Sequence, residues 1–239
     1  MPHTLFISDL HLSAERPDMT EAFFTFLRQR INQDTDALYI LGDFFEYWIG
    51  DDDKTPFHDQ VIKALKSVSS KLPVYFIHGN RDFLIGQKFA KQCGMTLLPE
   101  QQVIALYGSP ALIMHGDSLC TLDLDYMKFR RKSRSKWWQT MILALPLFVR
   151  RRIATNARRK SKMAQQGKDS EIMDVTPYEV INQMALNGVD LLIHGHTHRP
   201  AIHIIEDTDP LQQRIVLGDW YTQGSYLVCT AQGQELVKM

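Results

Sequence analysis

The chain has 239 residues, 44% of them hydrophobic, which suits one large domain, or a domain carrying an inserted cap, with a sizeable core. Three scattered cysteines, Cys93, Cys120 and Cys229, form no CxxC and read as reduced thiols of a cytosolic protein, which excludes a disulfide frame. The zero net charge hides a segregation: of 27 Lys and Arg, 14 lie between Tyr126 and Lys168 with no Asp or Glu among them, leaving 13 against all 27 acidic residues elsewhere.

The first element is a strand over Leu5-Phe6-Ile7, entered at Thr4 with no basic segment or cleavage site before it, so no signal peptide is expected. It ends in Asp9-Leu10-His11. A helix with Thr20 as its cap is predicted from Thr20 to Ile31. The next strand, Leu38 to Leu41, ends in Gly42-Asp43-Phe44-Phe45-Glu46. A helix from Asp59 to Ser69 stops before Pro73, and a strand from Val74 to Ile77 leads to Gly79-Asn80-Arg81-Asp82. Leu112 to Met114 is a strand ending in His115-Gly116-Asp117. From Leu122 to about Ala164 the pattern is helical, in two or more pieces. Its centre, Trp137 to Val149, is nearly all apolar, with Pro146 near its end and Arg150-Arg151-Arg152 behind it. No apolar run reaches the roughly 18–20 residues of a membrane-spanning helix. After Pro177 a helix runs to Gly188, and the strand Leu191 to Ile193 precedes Gly195-His196-Thr197-His198. Arg214 to Leu217 and Ser225 to Thr230 are strand-like. The polar motifs therefore flank a helical lid over 122–168, inserted between two parts of one core, 1–121 and 169–239.

Each polar motif follows a run rich in β-branched and aromatic residues, the mark of a buried strand. Side chains at the carboxyl ends of adjacent strands converge on one rim. That rim would receive Asp9, His11, Asp43, Asn80, His115, His196 and His198. Taken singly, most of these motifs suit ordinary turns or core histidines; together they supply enough oxygen and nitrogen ligands for two metal ions. The lack of Cys ligands argues against a structural zinc site. Mixed carboxylate, amide and imidazole donors suit Mn²⁺ or Fe²⁺, with Zn²⁺ as an alternative. His58, His78, His194 and His203 lack such a context and read as structural or surface residues.

In this order the five motifs resemble the calcineurin-like metallophosphoesterases. The resemblance implies an α/β (α+β) fold, a β-sandwich core flanked by helices. It also implies that Asp9, His11, Asp43 and His198 hold one metal and Asp43, Asn80, His115 and His196 the second, with Asp43 bridging. Two ions about 3.5–4 Å apart would clamp a phosphate and make a bridging water acidic, for in-line attack on phosphorus. Many relatives that cleave phosphomonoesters carry His after the Asn, as a proton donor to an alkoxide. Here Arg81 stands in its place. An arginine cannot act as a general acid, but it can grip phosphate oxygens as a fork. A phosphate leaving group, with a second pKa of about 6, needs no proton near neutral pH. The substitution favours a P–O–P bond over an alkyl ester, unless Arg81 merely pairs with Asp82 or Asp117.

Longer stretches narrow the resemblance. Gly42 to Asp53, Ile77 to Leu84, Leu112 to Asp117, Leu143 to Arg150, Ile172 to Val175 and His194 to Ala201 are similar to the UDP-2,3-diacylglucosamine pyrophosphatases of Gram-negative lipid A biosynthesis. That family implies cleavage to UMP and 2,3-diacylglucosamine 1-phosphate by attack on the uridine-side phosphorus, with two Mn²⁺ as cofactors. It implies catalysis by Asp43, Asn80, Arg81 and His115. Substrate would be held by Asn80, Arg81, Asp123, Ser161, Lys168 and His196, and by Gln165 where relatives often have Asn. The lid would then supply an apolar wall for acyl chains and cations for phosphates, a composition that also suits an anionic bilayer. The expected location is cytoplasmic, peripheral on the inner membrane. No nucleic-acid partner is expected, because the apolar centre of the basic segment suits a solvated groove poorly. No obligate protein partner is evident. A general nucleotide phosphodiesterase is the alternative, against which Arg81 and the lid argue.

Overall fold

Side chains of β1 (His3–Ile7) alternate between two apolar environments, as the two-residue repeat of a strand requires. Leu5 and Ile7 cluster with Phe23 and Phe26 of α1 (Pro17–Arg30) and with Val61 and Leu65 of α2 (Pro56–Ser69). Phe6 instead joins Ile113 and Ile193, from β6 (Ser109–Met114) and β7 (Leu191–His194). These two strands alternate likewise: Leu112, Met114 and Leu192 pack with Val180 and Met184 of α7 (Pro177–Asn187). The computed structural model describes residues 1–165, 174–206, 208, 210–221 and 224–238. Its layers run helix, sheet, sheet, helix. Strands covered on both faces explain the unbroken apolar runs in the sequence.

The first sheet takes β1, β2 (Thr35–Ile40), β3 (Val74–Phe76) and the short β4 (Thr96–Leu97) in parallel, with Leu5 opposite Leu38 and Ile40 opposite Phe76. In the second, β5 (Gln101–Leu106) pairs antiparallel with β6, which runs parallel to β7, with Leu112 opposite Leu192. Then come β8 (Ala201–Ile205) and β9 (Gln212–Val216), with β9 parallel to β7 and β8 antiparallel at the edge. The first sheet is completed by β10 (Ser225–Thr230), antiparallel to β1, and β11 (Gly233–Lys238) beyond it. The motif-bearing strands thus belong to two facing sheets, not to one open sheet. Their carboxyl ends still meet, because the parallel strands of both sheets point to the same rim.

Among the described residues between β6 and α7, a 3-10 turn at Asp117–Leu119 is followed by three α-helices, α4 (Leu124–Ser133), α5 (Lys136–Leu143) and α6 (Leu147–Gln165), the last starting directly after Pro146. The pattern left α3 (Gln87–Cys93) unread, along with β4, β5, β8 and β11, which are short or border solvent. Helix α1 also begins earlier than Thr20. Pro17 takes its first position and Arg16 its cap, because proline needs no amide partner there. Among the described residues, no helix is long and apolar enough to cross a membrane.

Candidate metal centre

Backbone strain marks the site. Among the described residues, six non-glycine positions have positive φ: Asp9, His11, Asp43, His196 and His198 at the rim, and Tyr107 elsewhere. A non-glycine residue held there costs on the order of 1 kcal/mol or more, so the surrounding packing must impose it. Two glycines allow the crowding. A Cβ on Gly79 would lie 2.2 Å from the Asp43 amide, and one on Gly195 would lie 2.1 Å from Ser8 Oγ.

The seven expected ligands come together. Asp9 Oδ2 accepts from Ser8 Oγ at 2.5 Å and from the His196 amide at 2.9 Å, while Oδ1 is buried without a hydrogen-bond partner. That free oxygen lies 3.3 Å from His198 Nε2, which faces His11 Nε2 at 3.4 Å. Asp43 sits centrally: Oδ1 is 3.6 Å from His115 Nε2 and Oδ2 is 4.0 Å from His11 Nε2. Asn80 Oδ1 lies 2.9 Å from His115 Nε2 and 3.0 Å from His196 Nδ1. His115 places Nδ1 2.8 Å from the Leu41 carbonyl, to which it donates, leaving Nε2 with its lone pair toward Asn80 and Asp43.

The arrangement fits divalent cations. Lone-pair atoms crowd a buried space, and one carboxylate oxygen is orphaned. The charge balance agrees: Asp9, with Asp219 and Asp43, raises the His198 pKa to about 9 against burial. His196, by contrast, is held down to about 4, by burial first and then by His115.

Three acidic residues around this set had no assigned role. Glu46 Oε2 lies 3.4 Å from His11 Nδ1, and Arg158 of α6 pairs with the same carboxylate. Asp219 lies 3.7 Å from His198 Nδ1. Its signal was present: Gly218-Asp219 follows the apolar run Ile215 to Leu217 as Gly42-Asp43 follows its own. Buried Asp117 accepts from Tyr126 Oη at 2.6 Å and Arg130 Nε at 2.8 Å, both on α4, and lies 3.5 Å from Arg134 Nη2. Arg134 also donates to the Gly79 carbonyl at 3.0 Å, so the helical segment is tied to the loop that carries Asn80.

These contacts change the reading of the basic segment. Arg150 is buried, bonded to the Ile49 carbonyl at 2.6 Å and to both oxygens of Asp52, and Arg151 pairs with Asp53. With Arg130 and Arg134 these cations serve the acidic body, so part of the charge segregation is answered within the chain. Lys128, Arg131, Lys132, Lys136, Arg152, Arg159 and Lys160 are exposed.

Arg81 pairs with neither Asp82 nor Asp117 among the described contacts. Asp82 instead accepts from the Phe44 and Gly79 amides at 2.7 and 2.8 Å. The Arg81 amide donates to Asp43 Oδ1 at 2.8 Å, and its Nε lies 3.9 Å from Asp43 Oδ2, buried and without a hydrogen-bond partner. Asp123 caps α4, accepting from the Tyr126 amide at 3.1 Å, and Ser161 is half-buried on α6. The Gln165 side chain and Lys168 lie outside the described residues.

Asp117→Asn should destabilise the fold by about 3 kcal/mol, because it removes the buried partner of two half-buried guanidinium groups, Arg130 and Arg134. Burial opposes ionisation of Asp117, but Arg134, His115 and Arg130 outweigh it and hold the carboxyl well below the usual range. A depressed carboxyl stabilises the fold above its unfolded pKa, and that contribution is lost as pH falls below about 4. Urea midpoints should separate wild type from the variant at pH 7 and converge in acid. An equal gap at both pH values would discard the ion-pair account.

The Calcineurin-like phosphoesterase family profile matches residues 2–200. The chain is 54% identical over 235 residues to the UDP-2,3-diacylglucosamine hydrolase of Escherichia coli O7:K1, covering 98% of both chains. The protein of the same name from Escherichia fergusonii shows the same identity and coverage. In fold it is similar to zinc-complexed Vps29 from Entamoeba histolytica, with a TM-score of 0.50, 14% identity, and 99% and 98% of the two chains covered. The profile match and the near full-length likeness agree with the rim geometry: the chain belongs to the calcineurin-like phosphoesterase family.

Proposed function

We propose that this protein hydrolyses the pyrophosphate bond of UDP-2,3-diacylglucosamine, releasing UMP and 2,3-diacylglucosamine 1-phosphate for lipid A biosynthesis. The observation that carries the reading is Arg81, a half-buried guanidinium whose buried Nε lies beside Asp43 without a hydrogen-bond partner, where an alkyl ester would call for a proton donor. The full-length likeness to hydrolases named for this substrate supports it. Asp9, His11, Asp43 and His198 would hold one divalent cation and Asp43, Asn80, His115 and His196 the other, with Mn²⁺ the expected ion. When bound, such a pair polarises phosphate oxygens and lowers the pKa of water. Asp43 would set the spacing of the two sites. Asn80, Arg81 and His196 would grip the oxygens of the phosphate under attack. His115, fixed by the Leu41 carbonyl, would keep its other nitrogen aimed at Asn80. The departing sugar phosphate takes no proton.

Chelated protein should recover activity with Mn²⁺ better than with Mg²⁺, which seldom accepts several imidazoles. In ¹⁸O-labelled water the label should enter UMP, since attack falls on the uridine-side phosphorus. Absence of UMP among the products rejects the reaction, and label in the lipid phosphate reverses the orientation.

The helical segment 122–168 would act as the lid and hold the acyl chains, with Asp123, Ser161, Gln165 and Lys168 contacting the head of the substrate. Its support is an exposed apolar face, with Trp137 61% and Phe148 73% accessible, next to the exposed cations of α4 to α6. The same face suits the anionic cytoplasmic surface of the inner membrane. Flotation should favour vesicles with anionic lipid and weaken with salt. Equal recovery on neutral vesicles would exclude the electrostatic part.

A further inference from the structure

A cavity of about 360 Å³ opens beside His198, on the side of β8 and β9. Its wall includes Asp174, Thr197, Arg199, His203 and Arg214, and among the described residues none of α4 to α6 lines it. The sheet register builds this wall: His203 of β8 stands opposite Arg214 of β9, so both side chains share one face. Arg199 is held by Asp174 at 2.5 Å. Two polar atoms here have no hydrogen-bond partner although they are buried, Arg214 Nη1 and Thr197 Oγ1. An unmet buried donor costs about 1–3 kcal/mol, so a surface that keeps two of them is suited to a ligand that satisfies them. Burial lowers the Arg214 pKa, and Asp174 offsets this only in part, so the guanidinium is short of a counter-charge.

We propose that this cavity seats the nucleoside half of the substrate, a uridine whose 5′-phosphate reaches the metal centre past His198. The inference rests on the substrate being a UDP-linked lipid, and it assigns the two ends of that molecule to opposite sides of the centre. The lipid end belongs with α4 to α6, where the large exposed apolar side chains Trp137, Met141, Leu143 and Phe148 lie. The cavity suits two acyl chains poorly. Its volume is at the small end for a small-molecule site, and its wall sets charged, hydroxyl and imidazole side chains among only small apolar ones, Pro200, Ala201 and Val216. Uracil presents two carbonyl acceptors and one N–H, and ribose presents hydroxyls. Arg214, His203 and Thr197 offer donors to the carbonyls, and Asp174 offers an acceptor. A buried site that hydrogen-bonds its ligand discriminates strongly against analogues that leave its groups unpaired.

The test is calorimetric titration of the Mn²⁺-loaded protein with UMP, inorganic phosphate and glucosamine 1-phosphate. Arg214→Met should weaken UMP at least tenfold while phosphate affinity changes less than twofold. Arg214→Lys should recover part of the loss, and His203→Ala, at an exposed strand position, should weaken UMP several-fold with the same selectivity. Should Arg214→Met fail to fold, the His203→Ala comparison decides alone. Unchanged UMP affinity in the variants, equal losses of UMP and phosphate, or a loss confined to glucosamine 1-phosphate would each overturn the assignment. The outcome separates from that of the proposed reaction. UMP release from the lipid substrate with UMP affinity indifferent to Arg214 and His203 keeps the reaction and removes the cavity. UMP binding that depends on them, without UMP release, does the reverse.

Discussion

Asp43→Asn is expected to reduce turnover on the order of 10³-fold while leaving the fold intact. Losing a partner that merely orients a metal ligand typically costs 10–100-fold, and Asp43 is placed to serve both ions. Its two oxygens approach two different imidazoles, His115 at 3.6 Å and His11 at 4.0 Å. Asparagine keeps the shape and an oxygen to accept the Arg81 amide, so the loop should still close. It loses the negative charge that lets two cations sit near each other, and it turns an N–H toward one of the imidazoles. Metal content per chain should therefore fall along with turnover, and extra Mn²⁺ should restore little. A variant that keeps two ions and near-normal turnover would show that the bridging ligand is another residue.

Much of this centre was legible before any coordinates, for a physical reason. Strands covered on both faces must be apolar throughout, so a sudden Asp, Asn or His at their ends is visible as an interruption. Asp9, Asp43, Asn80, His115, His196 and His198 all sit at such interruptions. The facing of two sheets was less visible in the strand runs, because a run buried under a helix and one buried under a second sheet look alike; only in the structure do Leu5 and Phe6 part to opposite faces. Glu46, Asp117 and Asp219 were harder still. Each stands at or just past a strand end like the others, but its role lies in partners that no local pattern names, such as His198 for Asp219. The basic segment misled in one respect. Lys and Arg counts do not tell a cation facing solvent from one like Arg150, buried and bonded to Asp52.

Arg81→Lys is expected to lower the rate of pyrophosphate cleavage on the order of 10²-fold, the scale seen when one preorganised donor to a developing charge is lost. Lysine keeps the charge but not the planar fork, and its single ammonium cannot bridge two phosphate oxygens in a fixed plane. The site makes that geometry matter. The Arg81 amide is bonded to Asp43 and its carbonyl accepts from the Trp48 amide at 3.0 Å, so the side chain starts from a fixed backbone. With 14% of the side chain accessible, and Nε 3.9 Å from Asp43 Oδ2 but without a hydrogen-bond partner, the guanidinium keeps donors to offer a phosphate. Arg81→His supplies the opposite control. It restores a proton donor of the kind that alkyl esters need, at the expense of the fork. Pyrophosphate cleavage should not speed up, because a phosphate leaves without a proton near neutral pH, while slow cleavage of a simple phosphodiester should emerge. The comparison is best made as two rate ratios, His over Arg on the pyrophosphate and His over Arg on the diester. If the first ratio rises above one, Arg81 is not selecting the leaving group, and the preference for a P–O–P bond must come from the cap alone.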